Sequence, residues 1–218
     1  DTYGDGYAGI GVWRAAFKPL VDRIADTDIR LQWFCCDRST GVTDASGNRI
    51  TLIRDTQSPV AVEYQAVKFI GTGRDNIKAG VFSGWELGDY IYLRSEEAYM
   101  IKMEALAHKG SAEAVTELNS FMKTRQPDYN YTFTNKADLI EEIIYQKRVE
   151  FWGEGLEYID NRRLNIPVDR TDETWGAENN NHLSAGKFRY NQEDRPFLYQ
   201  LPLSEIENNS QLSPSDQN

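Results

Sequence analysis

Residues 147–163, Lys-Arg-Val-Glu-Phe-Trp-Gly-Glu-Gly-Leu-Glu-Tyr-Ile-Asp-Asn-Arg-Arg, constrain the fold of this chain more than any other stretch. They close an amphipathic helix, break it at Gly153-Glu154-Gly155, and continue as a second charged helical segment to Arg163. The pattern is too charged for plain core and too regular for a loop. Upstream, Leu139, Ile140, Ile143, Ile144 and Phe151 recur at helical spacing and form the expected buried stripe. The helix is expected to start near Asn135–Asp138, with Asp138 and Glu141 forming a capping box in which Asp replaces Ser or Thr.

Two further helices precede it. Tyr92–Lys109 carries Tyr99, Met103 and Leu106 on one face and Ala98, Ile101 and Ala105 on another. Gly110 ends this helix, Ser111 caps the next, and Val115, Leu118, Phe121 and Met122 give the second its apolar face before Pro127 stops it. Two antiparallel helices joined by Gly-Ser resemble a tetratricopeptide unit. Such arrays need about three repeats, so partner helices are expected N-terminal to Asp1.

The first 91 residues read differently. Residues 1–12 are Gly- and Tyr-rich loop, and a short helix is expected from about Pro19 to Asp26. Ile29–Phe34 and Arg49–Ile53 are β-compatible runs around the turn cluster 43–48, which predicts a small hairpin. Residues 55–89 read as a long Gly-rich loop with a binding or lid role. Residues 165–198 read as polar loop centred on Trp175 and Asn179-Asn180-Asn181, followed by a turn around Glu205 and a polar tail. The expected fold is mainly α: a tetratricopeptide-like helix pair plus a further long helix, with extensive loops and a small β-hairpin. Residues 1–91 form the loop-rich, ligand-facing part, 92–163 the helical core, and 164–218 the loop and tail.

Charge and composition exclude several functions. The net charge of -10 argues against nucleic acid and anionic lipid as main partners. No apolar run approaches the roughly 20 residues that span a bilayer. The chain opens at Asp1 with no initiator Met and no signal segment, which reads as a processing or cloning boundary. Adjacent Cys35 and Cys36 cannot close a stabilising loop and read as free thiols. Neither His108 nor His182 has a second ligand at metal spacing, so no metal is expected. Gly153-Glu154-Gly155 lacks the third glycine and preceding strand of a dinucleotide loop, and no cofactor is expected. No nucleophile motif is present. Glu150 and Glu154 have the spacing to share a helix face as glycosidase carboxylates. The flanking Lys147, Arg148, Arg162 and Arg163 favour a structural ion-paired network instead.

Aromatic residues make up 12% of the chain, and many lie among Gly, Asn and Asp. Rings beside amides and acids suit sugars, whose C–H face stacks on the ring while polar groups meet the hydroxyls. The alternative is that the rings anchor loops to the core.

The 147–163 stretch resembles the closing signature of SusD/RagB-like proteins. Leu93–Ala105 looks like that family's R-x-x-E-A-Y-L-x-x-A-E-A helix, with Met103 in place of a small residue. Leu118-Asn119 with Arg125 is similar to its next helix. Asp28-Ile29-Arg30 looks like its D-x-R element, and Lys68-Phe69 like its K-F/Y element. Leu201-Pro202-Leu203 with Glu205, Asn208-Asn209 and Gln217-Asn218 is similar to its closing segment. Two departures, Gln146-Lys147-Arg148 and Asp160-Asn161-Arg162-Arg163, fall in the structural network.

The resemblance implies binding without catalysis: a surface-exposed outer-membrane lipoprotein that captures oligosaccharides, or in some members peptides. Such a protein forms a lid over a SusC-like TonB-dependent transporter. Its lipid anchor would lie outside this chain. Family sites use loop aromatics, which makes Tyr3, Tyr7 and Trp13 the first candidates, with Asp5 as hydroxyl acceptor and Trp33 and Trp85 next. Trp152 is expected in the core. The competing readings are a tetratricopeptide-like scaffold for a protein or peptide, and a glycoside hydrolase built on Glu150 and Glu154.

Overall fold

The structure, a computed structural model, describes residues 15–35, 64–66, 68, 92–194 and 200–216. The chain divides into two compact units, Asp1–Trp152 and Gly153–Asn218.

The first unit is built on three helices: α2 (Ser95–His108), α3 (Glu113–Met122) and α4 (Lys136–Glu150). Helix α2 packs against both α3 and α4. It ends as the sequence dictates. Gly110 adopts φ +71, its amide bonds the Ala107 carbonyl, and the Ser111 amide reaches back to the Leu106 carbonyl. This is the left-handed closure that glycine permits at no steric cost. The Ser111 hydroxyl then accepts from the Glu113 amide and starts α3.

The buried stripe of α2 differs from the expected one. Met100, Met103, Glu104 and Ala107 face inward, while Tyr99 and Ile101 are 53% and 54% exposed. The expected stripe missed Glu104 because a carboxylate does not count in an apolar pattern. It is buried here against the equally buried Lys147 of α4, 3.2 Å away. The capping box of α4 also shifts by one turn. Asn135 is the cap, its side chain accepting from the Asp138 amide, and Asp138 answers by accepting from the Asn135 side-chain amide. Asp138 is therefore the third residue of the helix rather than its cap.

A short helix α1 (Lys18–Asp22) opens the described chain, with Pro19 in its first turn, where no amide is needed. It stops four residues before the expected end. Ile29–Trp33, expected as strand, is a 3-10 turn, and only Phe34–Cys35 (β1) is extended. The Asp28 side chain accepts from the Arg30 amide and tightens that turn. Strand β1 pairs antiparallel with β2 (Gln65–Ala66), in register Phe34↔Ala66. Arg49–Ile53, the expected partner, lies outside the described residues. Val21, Ile24, Leu31, Phe34 and Ala66 bury against Tyr145 and Val149 of α4. Trp152 is partly buried on this cluster, edge-on to Phe34 with ring centroids 5.8 Å apart.

The second unit begins at Gly153, and both Gly153 and Gly155 adopt positive φ. It contains α5 (Leu156–Arg163), β3 (Val168–Asp169), α6 (Asp172–Trp175), β4 (Arg189–Tyr190) and α7 (Leu203–Asn208). Strands β3 and β4 pair antiparallel, Val168↔Tyr190 and Asp169↔Arg189. The stretch expected as loop thus holds a small sheet and a helical turn.

Candidate functional site

Of the expected ligand residues, Tyr3, Asp5, Tyr7, Trp13 and Trp85 lie outside the described residues. Trp33 is partly buried against the core, with the Lys68 ammonium 4.8 Å from its ring centre. Lys68 donates to the carbonyls of Glu150 (2.6 Å) and Trp152 (3.1 Å). A cation at the carbonyl end of α4 is favoured there by the helix dipole. Trp33 is thus fastened to the scaffold.

Glu150 sits at the centre of the first unit's polar interior and is 1% exposed. One oxygen accepts from Arg94 and Arg125, each at 3.0 Å. The other faces Arg125 Nε at 3.3 Å and Arg30 Nη1 at 3.4 Å. Arg30, also 1% exposed, is held by Asp28 at 2.7 Å. Arg125 additionally reaches Glu96 at 3.3 Å. Three arginines thus meet three carboxylates, so the group is neutral as a whole. Burial pushes the Glu150 carboxyl up, but the Arg125 hydrogen bond and charge, with Arg30 and Arg94, outweigh it and hold the group below its ordinary range. Such a carboxylate has no proton to donate to a leaving group. The expected ion network exists, but its arginines come from three distant segments, not from the flanking basic residues. Helix α4 ends at Glu150 and Glu154 lies beyond it, so the two acids do not share one helix face.

A cleft of about 440 Å³ opens beside this network, lined by Arg23, Asp28, Tyr129, Tyr131, Glu142 and Tyr145 among others. Its strongest groups are saturated by one another. Glu142 accepts from Arg23 (2.6 Å), the Tyr129 hydroxyl (2.8 Å) and Gln146 (2.7 Å). The Arg23 guanidinium lies 3.8 Å over the Tyr145 ring. Burial raises both the Tyr129 and Tyr145 hydroxyls, and Glu142 adds to the first. No poised acid–base pair results.

The second unit carries an aromatic and cationic surface. Asp169 accepts from the Thr171 amide (3.0 Å) and hydroxyl (2.7 Å), from Thr174 (2.7 Å) and from Arg189 (2.7 Å). Burial pushes Asp169 up, but these donors prevail and hold it at about 2. The Trp175 indole N–H donates to the Asp169 carbonyl at 2.9 Å, which fixes a ring that remains 37% exposed. Asp172 accepts from Lys187 at 2.7 Å and from the Asn180 side-chain amide at 2.8 Å. Strand alternation puts Arg170 and Phe188 on the opposite face from Asp169 and Arg189. There the Arg170 guanidinium lies 4.9 Å from the Phe188 ring centre, and Phe188 lies 4.9 Å from Tyr190. His182 is held below its ordinary value by burial, Arg170 and Lys187. The sequence reading singled out Trp175 but missed Arg170, Phe188 and Tyr190. The signal was the period-two alternation of Val168, Arg170 and of Phe188, Tyr190.

The described residues contain no helix long and apolar enough to cross a membrane, and no group of three or more His, Cys, Asp or Glu placed to hold a metal. The family model described as the SusD family matches residues 64–218. Among solved structures, the chain is similar to a SusD-like carbohydrate binding protein from Bacteroides vulgatus ATCC 8482. The two share 22% identity with a TM-score of 0.56, over 88% of this chain and 40% of that one. At this identity the likeness shows the fold, and the chain spans about 40% of the length of that structure. No curated protein matches.

Proposed function

The chain belongs to the SusD family, and on that premise we propose that it binds glycans at the cell surface without acting on them. The bound oligosaccharide is handed to a SusC-like TonB-dependent transporter, and a lipid anchor holds the protein on the outer membrane. The family match across residues 64–218 carries the reading. The state of Glu150 supports the non-catalytic part, because its carboxyl is buried, triply ion-paired and held ionised. Tyr3, Asp5, Tyr7, Trp13, Trp33 and Trp85 are the first proposed ligand contacts.

Affinity gel electrophoresis through a panel of neutral and acidic polysaccharides tests the proposal, with a reducing-sugar assay on the same samples. Retardation without sugar release is expected. Release of reducing ends that Glu150→Gln abolishes would point to a hydrolase. Indifference to every polysaccharide would remove the glycan reading.

A further inference from the structure

The second unit has five described Lys and Arg side chains, and four have protein partners. Arg163 pairs with Asp160, Lys187 with Asp172 and Arg189 with Asp169, while Arg162 donates to the Gln192 carbonyl. Arg170 is exposed and meets no carboxylate among the described residues; its contact is the face of Phe188. The sheet sorts its charges by face. Asp169 and Arg189 neutralise each other on one side, and Arg170 shares the other with Phe188 and Tyr190.

Stacking on a ring has a definite consequence for a guanidinium. The ring occupies one flat face and fixes the plane, while the N–H donors stay free around the rim. A planar fork held this way matches the two oxygens of a carboxylate, and little side-chain entropy remains to be lost on binding. Tyr190 beside Phe188 supplies flat apolar surface of the kind a pyranose covers.

We propose that Arg170, stacked on Phe188, is a recognition point for the carboxylate of an acidic saccharide, a uronic-acid unit, with Tyr190 as the neighbouring ring contact. The inference rests on the glycan reading above and narrows it to acidic sugars on this surface. The global negative charge does not oppose it strongly, because exposed charges beyond about 8 Å are largely screened at physiological salt.

The test measures binding of the 218-residue chain by titration calorimetry to three probes: trigalacturonate, its fully methyl-esterified form, and triglutamate. The acid should bind about tenfold more tightly than the ester, as expected for a charge-assisted bidentate contact. Arg170→Gln should bring the acid down to the ester's affinity, and Arg170→Lys should recover only part of the loss. Phe188→Leu should weaken acid binding by freeing the guanidinium. Arg189→Gln, on the ion-paired face, should leave the preference intact. Equal affinity for acid and ester, or an Arg170→Gln chain that still distinguishes them, overturns the proposal. Triglutamate bound as tightly as trigalacturonate also overturns it, in favour of a general anion or peptide contact. If these probes fail while neutral polysaccharides retard the chain, the acidic-sugar inference is wrong and the glycan reading stands. If neither probes nor polysaccharides bind, the glycan reading has failed with it.

Discussion

Glu150 shows how far one residue can hold a fold. Removing it leaves Arg30, Arg94 and Arg125 facing one another with only Asp28 and Glu96 as counter-charges. Breaking one partner out of a buried ionic group costs about 3–5 kcal/mol, and Glu150→Ala should lower stability to denaturant by that order. The pH dependence has a fixed sign. The folded carboxyl is more acidic than the unfolded one, so its stabilisation is fully present above the unfolded value near 4.5 and fades as pH falls through the depressed folded value. Glu150→Gln should be less stable at neutral pH and lose less on acidification. Urea titrations at pH 7 and below pH 4 check both statements. An unchanged neutral-pH stability would mean the group is dispensable.

At the scale of elements, the end of α2 and the buried stripe of α4 were legible, while the cap of α4 and the buried face of α2 were not. Gly110 marked the end of α2 correctly, because a position needing φ +71 admits few other residues. No atom would crowd an added Cβ there. Gly110→Ala should therefore cost about 1–2 kcal/mol through backbone conformation alone, and Gly110→Asn should recover part of it. Thermal melts of the two variants decide the point, and equal melting of Ala and Asn forms would contradict it. The buried face of α2 was misread because Glu104 and Lys147 neutralise each other inside the protein, which apolar periodicity cannot register. Ile29–Trp33 was misread because its residues suit a strand. What decides the turn is Asp28 accepting from the Arg30 amide, together with the burial of Arg30 among partners more than 100 residues away. The site fared similarly. Five of the six expected contacts lie outside the described residues, and the Arg170 surface needed the β3–β4 pairing to become visible.

At the scale of the molecule, the two units are held by different forces. The first has a broad set of buried Met, Leu, Ile, Val and Phe side chains. In the second, Ile206 is the one buried apolar side chain among the described residues, beside buried Asn161, Asn180 and Gln192. Hydrogen bonds between polar groups contribute little net stability each, about 0.5–1.5 kcal/mol, against larger sums from apolar burial. Hydrogen exchange should therefore be slowest in α4 and around Leu118–Met122, and faster throughout Gly153–Asn218. Equal protection in both units would refute this ranking.

The arginines around Glu150 also set an order of events during synthesis. Arg30 emerges from the ribosome 120 residues before Glu150 and 116 before Gln146. Until the last turn of α4 is made, its partner from that set is Asp28 alone. The contacts of α2 with α3 are local in sequence and can form early, whereas closing a loop of this length is slow. The segment around Asp28–Arg30 is therefore made well before the residues that complete its charge balance, and a nascent chain halted before Glu150 lacks the counter-charge that its buried arginine requires.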